Sequence, residues 1–212
     1  DYKRIGENDT GLNTGGMGAV SPVSFADKSF MEKVERLVIK PTIFGLKEEK
    51  IDYKGFIFSG LMNVNGNPYV IEYNVRMGDP ETEAVIPRVK NDLVDIFEKT
   101  ADSKLNEVLL EIDNRTTTTV VLVAKGYPSD YEKGKEITFG NTSSNSLVFH
   151  AGTKELNNKV VTNGGRVIAV TGVGDSIEEA LDNAYKTCDT IAWEGKNFRK
   201  DIGQDLLALK NI

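Results

Sequence analysis

The sequence predicts an α+β chain in two parts, an antiparallel sheet with helices followed by a smaller α+β domain. Three observations carry that expectation. Two β-rich runs, Phe56 to Val64 and Tyr69 to Val75, flank Asn65-Gly66-Asn67-Pro68, and Asn-Gly between such runs signals an antiparallel hairpin. The polar, Thr-rich stretch Asp113 to Thr119 then resets to the buried-strand pattern Val120-Val121-Leu122-Val123-Ala124. That reset sets a domain boundary, with residues 1–112 on one side and 113–212 on the other. Short strand runs and one long capped helix make up the second part.

Taken in order, Asp1 to Pro22 is polar and glycine-rich with no period of 2 or 3.6, the pattern of an extended functional loop. Asp27 is placed to cap a helix in which Phe30, Val34, Leu37 and Val38 recur at helical spacing. Pro41 predicts a kink or restart before Phe44-Gly45-Leu46. In the second run of the hairpin Ile71, Tyr73 and Val75 share one face, expected on the core, and Glu72, Asn74 and Arg76 share the other. Asp79-Pro80-Glu81 reads as a helix start with Asp79 as its cap, and Asp92 to Thr100 as a further amphipathic helix. Beyond the boundary, strands are expected near Glu136-Ile137-Thr138, Leu147-Val148-Phe149, Val160-Val161 and Arg166 to Thr171. Thr162-Asn163-Gly164-Gly165-Arg166 reads as a tight hairpin turn between the last two. Ser176 and Glu179 form a capping box for the final long helix. His150 is expected in a turn, and Met62, Met77 and Cys188 in packing roles.

Composition narrows the function classes. One Cys, one His and one Trp in 212 residues leave no disulfide framework and no zinc ligand set, which makes cytosolic chemistry the default. The 26 basic and 32 acidic residues give a net charge of −6, against broad nucleic-acid binding, which needs clustered cations. No run approaches the ~20 apolar residues that span a bilayer. The chain starts Asp1-Tyr2-Lys3-Arg4, with neither an initiator Met nor a signal-peptide pattern, so a fragment or processed chain is expected. Gly is in excess, 20 residues where ~7% is usual, and it clusters: Gly11, Gly15, Gly16 and Gly18 form one set.

Two clusters could carry chemistry. Glu72 and Asn74 put a carboxylate and an amide oxygen about 7 Å apart along one strand face, with the Arg76 cation one step further. Hard oxygen donors suit Mg²⁺, completed by substrate phosphates and water, and an adjacent Arg suits a transferring phosphoryl group. Alone, the same face is also what a solvated polar strand with an incidental ion pair looks like. Asn13-Thr14-Gly15-Gly16-Met17-Gly18, preceded by Asp9-Thr10-Gly11, lets backbone N–H groups approach an anion as a nest; a ligand-free glycine turn reads the same way. It is neither a Walker loop nor a G-x-G-x-x-G fingerprint.

Together these residues are recognisable. D-T-G-L-N-T-G-G-M-G-A at 9 to 19, V-I-E-Y-N-V-R-M-G-D-P-E-T-E at 70 to 83, G-Y-P at 126 to 128, H-A-G-T at 150 to 153, T-N-G-G-R-V at 162 to 167 and F-R-K-D-I-G at 198 to 203 closely resemble the C-terminal half of the phosphoribosylamine-glycine ligases, which are ATP-grasp enzymes of purine synthesis. The resemblance implies that residues 1–112 are the C-terminal part of an ATP-grasp domain and 113–212 the family's small C-terminal domain. It implies an ATP-dependent carboxylate-amine ligase in which glycine is phosphorylated and the glycyl phosphate is attacked by 5-phosphoribosylamine, releasing ADP and phosphate. Glu72 and Asn74 match the family's Mg²⁺ or Mn²⁺ ligands, and Arg76 the cation at the transferring phosphoryl group. Asp9, Asn13, Thr14, Gly15, Gly16, Met17 and Gly18, with Asp79 and Glu81, match parts lining the acceptor and glycine end. The family's N-terminal half, with its nucleotide clamp, has no counterpart here, so the 212 residues alone are expected to be inactive. Gly55 to Val64 also lacks the further acidic ligand that many ATP-grasp enzymes carry on that strand. Another ATP-grasp ligase with a different acceptor, or a non-catalytic anion-binding module, are the alternatives.

Overall fold

The computed structural model describes residues 2–209. In chain order these form strands β1 (Arg4–Gly6), β2 (Thr10–Asn13) and β3 (Gly18–Ser21), then helix α1 (Lys28–Val34), a π-helical stretch (Glu35–Ile39) and α2 (Lys40–Glu48). Strands β4 (Phe58–Val64) and β5 (Asn67–Asn74) follow, then helices α3 (Glu81–Val85) and α4 (Leu93–Ala101). The remainder is β6 (Thr116–Val123), β7 (Thr138–Phe139), β8 (Ser146–His150), β9 (Thr153–Leu156), β10 (Lys159–Thr162), β11 (Arg166–Gly174), α5 (Ile177–Thr190), β12 (Ile191–Ala192) and α6 (Gln204–Leu209). The mixture is α+β, as the sequence predicts.

The chain divides into two compact units, one of residues 2–22, 79–88 and 113–209, the other of residues 23–78 and 89–112. A linear cut at 112/113 therefore does not describe the compact units. The cause lies in the N-terminal segment, which is not the free loop its composition suggested. β1 and β2 pair as a hairpin, and β3 joins a four-stranded antiparallel sheet of order β3-β6-β11-β8. Strand pairing over some hundred positions leaves no periodic trace in a glycine-rich strand.

The same sheet explains the Thr run, read from sequence as the boundary. Thr117, Thr118 and Thr119 are fully buried within β6. Thr117 Oγ1 donates to the Ala84 carbonyl at 2.6 Å, Thr119 Oγ1 meets Thr171 Oγ1 at 2.7 Å, and Thr171 Oγ1 lies 2.9 Å from the Glu83 carbonyl. The Thr117 and Thr171 hydroxyls satisfy α3 carbonyls and Thr119 meets Thr171, so burying these three costs little, while Thr118 Oγ1 is buried without a partner. On the sheet, α5 buries Ile177, Ala180, Leu181, Ala184 and Cys188 at helical spacing, and burial pushes the Cys188 thiol up to about 12. Ser176 Oγ accepts from the Glu179 N–H, while the Glu179 carboxylate accepts from Asp175 N, one residue before the usual capping-box partner. β10 pairs with β9 rather than β11. The Thr162 to Arg166 turn thus passes between two sheets and is no hairpin.

In the second unit Asp27 caps α1, its carboxylate accepting from Phe30 N at 2.7 Å. The helix does not break at Pro41; the π-helical stretch lies just ahead of it and α2 continues with Pro41 in its first turn, where a missing N–H is tolerated. The hairpin turn is the two residues Asn65 and Gly66, with φ of 51° and 74°, the left-handed pair that twists with the strands. Asp92 caps α4 through Val94 N. Two sequence expectations fail here. Ile71 and Val75 are 63% and 73% exposed and Tyr73 is also exposed, so the apolar face of β5 does not reach a core. Met62 is likewise exposed. Amphipathic alternation announces a face to be covered, and among the described residues β4 and β5 form a two-stranded sheet without enough partners to cover it.

Candidate active site

The metal-type face lies wholly in the second unit. Glu72 and Asn74 occupy alternate positions of β5 and Arg76 follows just beyond its end. Their side chains form a short chain of hydrogen bonds: Asn74 Nδ2 donates to Glu72 Oε1 at 3.1 Å, and Arg76 donates from one guanidinium nitrogen to Asn74 Oδ1 at 3.3 Å and from the other to the Met77 carbonyl at 2.8 Å. Gly60 sits opposite Glu72 in the register, and a Cβ there would come within 3.1 Å of Glu72 Cγ. The glycine makes room for the carboxylate. Glu72 and Arg76 are exposed and Asn74 half-buried, which leaves the face open to a ligand.

This donor set fits a hard divalent cation only in combination. A carboxylate and an amide oxygen are two of the six oxygens that Mg²⁺ requires, the number usual where substrate phosphates supply others. Among the described residues no group of three or more His, Cys, Asp or Glu side chains is arranged for a metal. Recruiting Asn74 Oδ1 would require turning the amide that now donates to Glu72 and accepts from Arg76, a rotation that gives up two long, exposed hydrogen bonds.

The remaining sequence-predicted residues lie in the first unit, and their backbone is already occupied. Thr14 N donates to the Lys3 carbonyl, Gly15 N to the Tyr127 hydroxyl, Gly16 N to Thr14 Oγ1 and Met17 N to the Tyr2 carbonyl. The expected nest of free N–H groups is not formed. Met17 is fully buried in the core, which keeps its side chain from a ligand, and Gly16 and Gly18 are buried with it. Asn13 and Gly15 are exposed and Thr14 half-buried. Asp9 is held by Arg199, whose guanidinium is only 2% exposed, bonds Asp9 and Asp201 at 2.7 Å and lies over the Tyr2 ring. Its two carboxylates hold Arg199 well above the usual guanidinium range.

Asp79 does not cap α3, which starts after Pro80 without a side-chain cap. Its carboxylate is taken instead by Arg166, which bonds it in a fork at 2.8 and 2.9 Å and also donates to the Gly15 carbonyl at 3.2 Å. A charged fork outcompetes a neutral N–H cap. Glu81 is the first residue of α3 and half-buried. Sequence reasoning treated Arg166 as structural and did not single out Tyr127 or Arg199. The signals present were G-Y-P, G-G-R and F-R-K-D, each a cation or hydroxyl beside glycine or proline, with no partner legible nearby.

Glu83 adds a titrating group. Its Oε2 is buried without a hydrogen-bond partner. Burial raises its pKa, with the charges of Asp79 and Glu81 adding to that, against its own backbone N–H and Arg166. The folded chain therefore binds a proton here more tightly than the unfolded one, and stability falls as pH rises above the ordinary carboxylate range. Glu83→Gln is expected to melt higher than the parent near pH 8, the difference vanishing toward about pH 4, where both states are protonated. Thermal melts across that range test it; a difference independent of pH would contradict it.

Comparison with known proteins divides the chain linearly, unlike its compact units. Residues 1–82 match "Phosphoribosylglycinamide synthetase, ATP-grasp (A) domain", and residues 117–205 match "Phosphoribosylglycinamide synthetase, C domain". A phosphoribosylamine–glycine ligase of Haemophilus influenzae is 48% identical over 206 residues, covering 96% of this chain and 48% of that protein. One from Chlorobaculum tepidum is 45% identical, covering 98% of this chain and 49% of that protein. The crystal structure of the Thermotoga maritima phosphoribosylamine–glycine ligase superposes with a TM-score of 0.85 at 40% identity, over 95% of this chain and 50% of that one. The biotin carboxylase domain of a Hydrogenobacter thermophilus 2-oxoglutarate carboxylase shares the fold at 16% identity, with a TM-score of 0.66 over 93% of this chain and 42% of that one. The chain spans about half the length of the ligases it matches.

Proposed function

The chain belongs to the phosphoribosylglycinamide synthetase family, carrying residues of its ATP-grasp (A) and C domains, and we propose that it is the C-terminal half of a ligase joining glycine to 5-phosphoribosylamine. The observation that carries the reading is the Glu72-Asn74-Arg76 face of β5. In this reading a glycine carboxylate oxygen attacks the γ-phosphorus of ATP and ADP departs. The amine of 5-phosphoribosylamine then attacks the glycyl carbonyl, the carbonyl–phosphate bond breaks, and the amine gives up a proton as glycinamide ribonucleotide forms. In this reading residues 1–112 go with the ATP-grasp domain and 113–212 with the C domain; the matches to residues 1–82 and 117–205 fall within those bounds.

Glu72 and Asn74 would hold Mg²⁺ or Mn²⁺ together with phosphate oxygens; when bound, the ion neutralises charge on the transferring phosphoryl group. Arg76 supplies a second, fixed positive charge for that group. Asp9, Asn13, Thr14, Gly15, Gly16, Met17 and Gly18, with Asp79 and Glu81, belong to the acceptor and glycine end, where Asp9 and Met17 act by shaping the loop. A complete site needs the nucleotide-binding half from outside these 212 residues. The second unit supports this. Ile39, Ile43, Leu46, Ile51, Tyr53 and Ile57 line an open groove of about 540 Å³, and Ile39, Ile43, Phe44, Ile51, Ile71 and Val75 of this unit are exposed, apolar side chains that a covering partner would take out of water. The ligase reading carries with it small-molecule substrates and a cytoplasmic setting; no helix among the described residues is long and apolar enough to cross a membrane.

The test is ADP release in the presence of ATP, Mg²⁺, glycine and 5-phosphoribosylamine. The chain joined to its family's N-terminal half is expected to turn over and the 212 residues alone are not. No glycine-dependent ADP from the joined protein would refute the function. Turnover by the chain alone would refute its incompleteness, and turnover with another amino acid in place of glycine would redirect the substrate.

A further inference from the structure

We propose that Arg166 is a positioning residue that turns the glycine-loop surface into an acceptor for hydrogen-bond donors, an amine or sugar hydroxyl, rather than an anion nest. One guanidinium grips two segments of the first unit far apart in sequence, bonding the Asp79 carboxylate in a fork and the Gly15 carbonyl. A Cβ on Gly15 would lie 3.0 Å from the guanidinium carbon, so a side chain at Gly15 would crowd the grip and push the guanidinium aside. Tyr127 secures the other side of the same residue by accepting from Gly15 N at 3.0 Å.

The chemistry left open follows from what is used. The amides of Thr14, Gly15, Gly16 and Met17 all donate within the protein, so they offer little to a phosphate. The Arg166 side chain is 22% exposed and that of Asp79 is 55% exposed. The carboxylate is the more open partner of the pair. A carboxylate held by an Arg fork keeps further lone pairs for ligand N–H or O–H groups.

The proposal rests on the ligase reading for its substrate but can be tested without it. In the 212-residue chain Arg166→Ala is expected to speed exchange of the Gly15 amide about tenfold or more, with the β-sheet amides of Val121 and Val170 unchanged. Unchanged or uniformly faster exchange overturns the positioning role. Titration with inorganic phosphate is expected to leave the Gly15 to Gly18 amide resonances in place; saturable shifts overturn the acceptor reading in favour of a nest. In the joined ligase, Arg166→Ala is expected to raise KM for 5-phosphoribosylamine about tenfold and leave KM for ATP within about twofold. Equal rises in both, or none, overturn it. Arg166→Lys keeps the charge without the fork and is expected to fall between, which serves should the alanine variant not fold. If the joined parent enzyme shows no ligase activity, the ligase reading falls, while the exchange and phosphate measurements still decide this one.

Discussion

Glu72→Ala in the joined ligase is expected to lower kcat about 100- to 1,000-fold, the cost of removing charge stabilisation from a phosphoryl-transfer site. Arg76→Ala is expected to act similarly, and Glu72→Gln more mildly, because the amide keeps an oxygen donor and loses only the charge. Both side chains are exposed and lie outside the Asn65-Gly66 turn, and Glu72 enters the β4–β5 register through its backbone, which the substitution keeps, so melting of the variants is expected to match the parent. The Mg²⁺ concentration for half-maximal rate is expected to rise for the Glu72 variants and to change little for Arg76→Ala. Steady-state kinetics over a metal titration checks all of this. Parent-like kcat in Glu72→Ala would make the face a solvated strand surface.

The largest stability effect is expected at Gly172. It lies in β11 under α5, and a Cβ there would overlap the Ala180 carbonyl and come within 2.5 Å of Ala184 N. Both are backbone atoms of a helix, so relief requires moving α5 off the sheet, where Ala184 and Cys188 are fully buried. Gly172→Ala is expected to cost about 4 kcal/mol and lower Tm by roughly 10 °C. Gly45, in α2, is the contrast. A Cβ there meets nothing within 4 Å, and Gly45→Ala is expected to be neutral or to stabilise by up to about 1 kcal/mol, through reduced chain entropy and better helix propensity. Thermal melts of the two variants separate packing glycines from incidental ones. Equal effects would mean that close approach is not why Gly172 is there.

Read from sequence, the glycine excess centres on the Gly11, Gly15, Gly16 and Gly18 set. The structure reassigns part of it to contact. Gly15 clears Arg166, Gly60 clears Glu72 and Gly172 clears α5, while Gly66 alone of these needs a left-handed backbone. The candidate site was legible to the same degree. The alternation of Glu72, Asn74 and Arg76 could be read directly, since period-2 geometry fixes which side chains share a strand face. Arg166 and Tyr127 could not, because what defines them is contact with Gly15, more than a hundred positions away.

What the sequence determined by itself was set by residues within about four positions of one another: the Asn65-Gly66 turn, the Asp27 and Ser176 caps, and the polar face of β5. Tertiary structure alone decided that Gly18–Ser21 is a sheet strand, that a polar Thr run is buried, that Asp79 serves Arg166 instead of a helix, and that the loop amides are spent internally. The physical reason is competition. A local pattern states which hydrogen bonds and faces a segment can offer, and a partner brought from far along the chain determines which offer is taken.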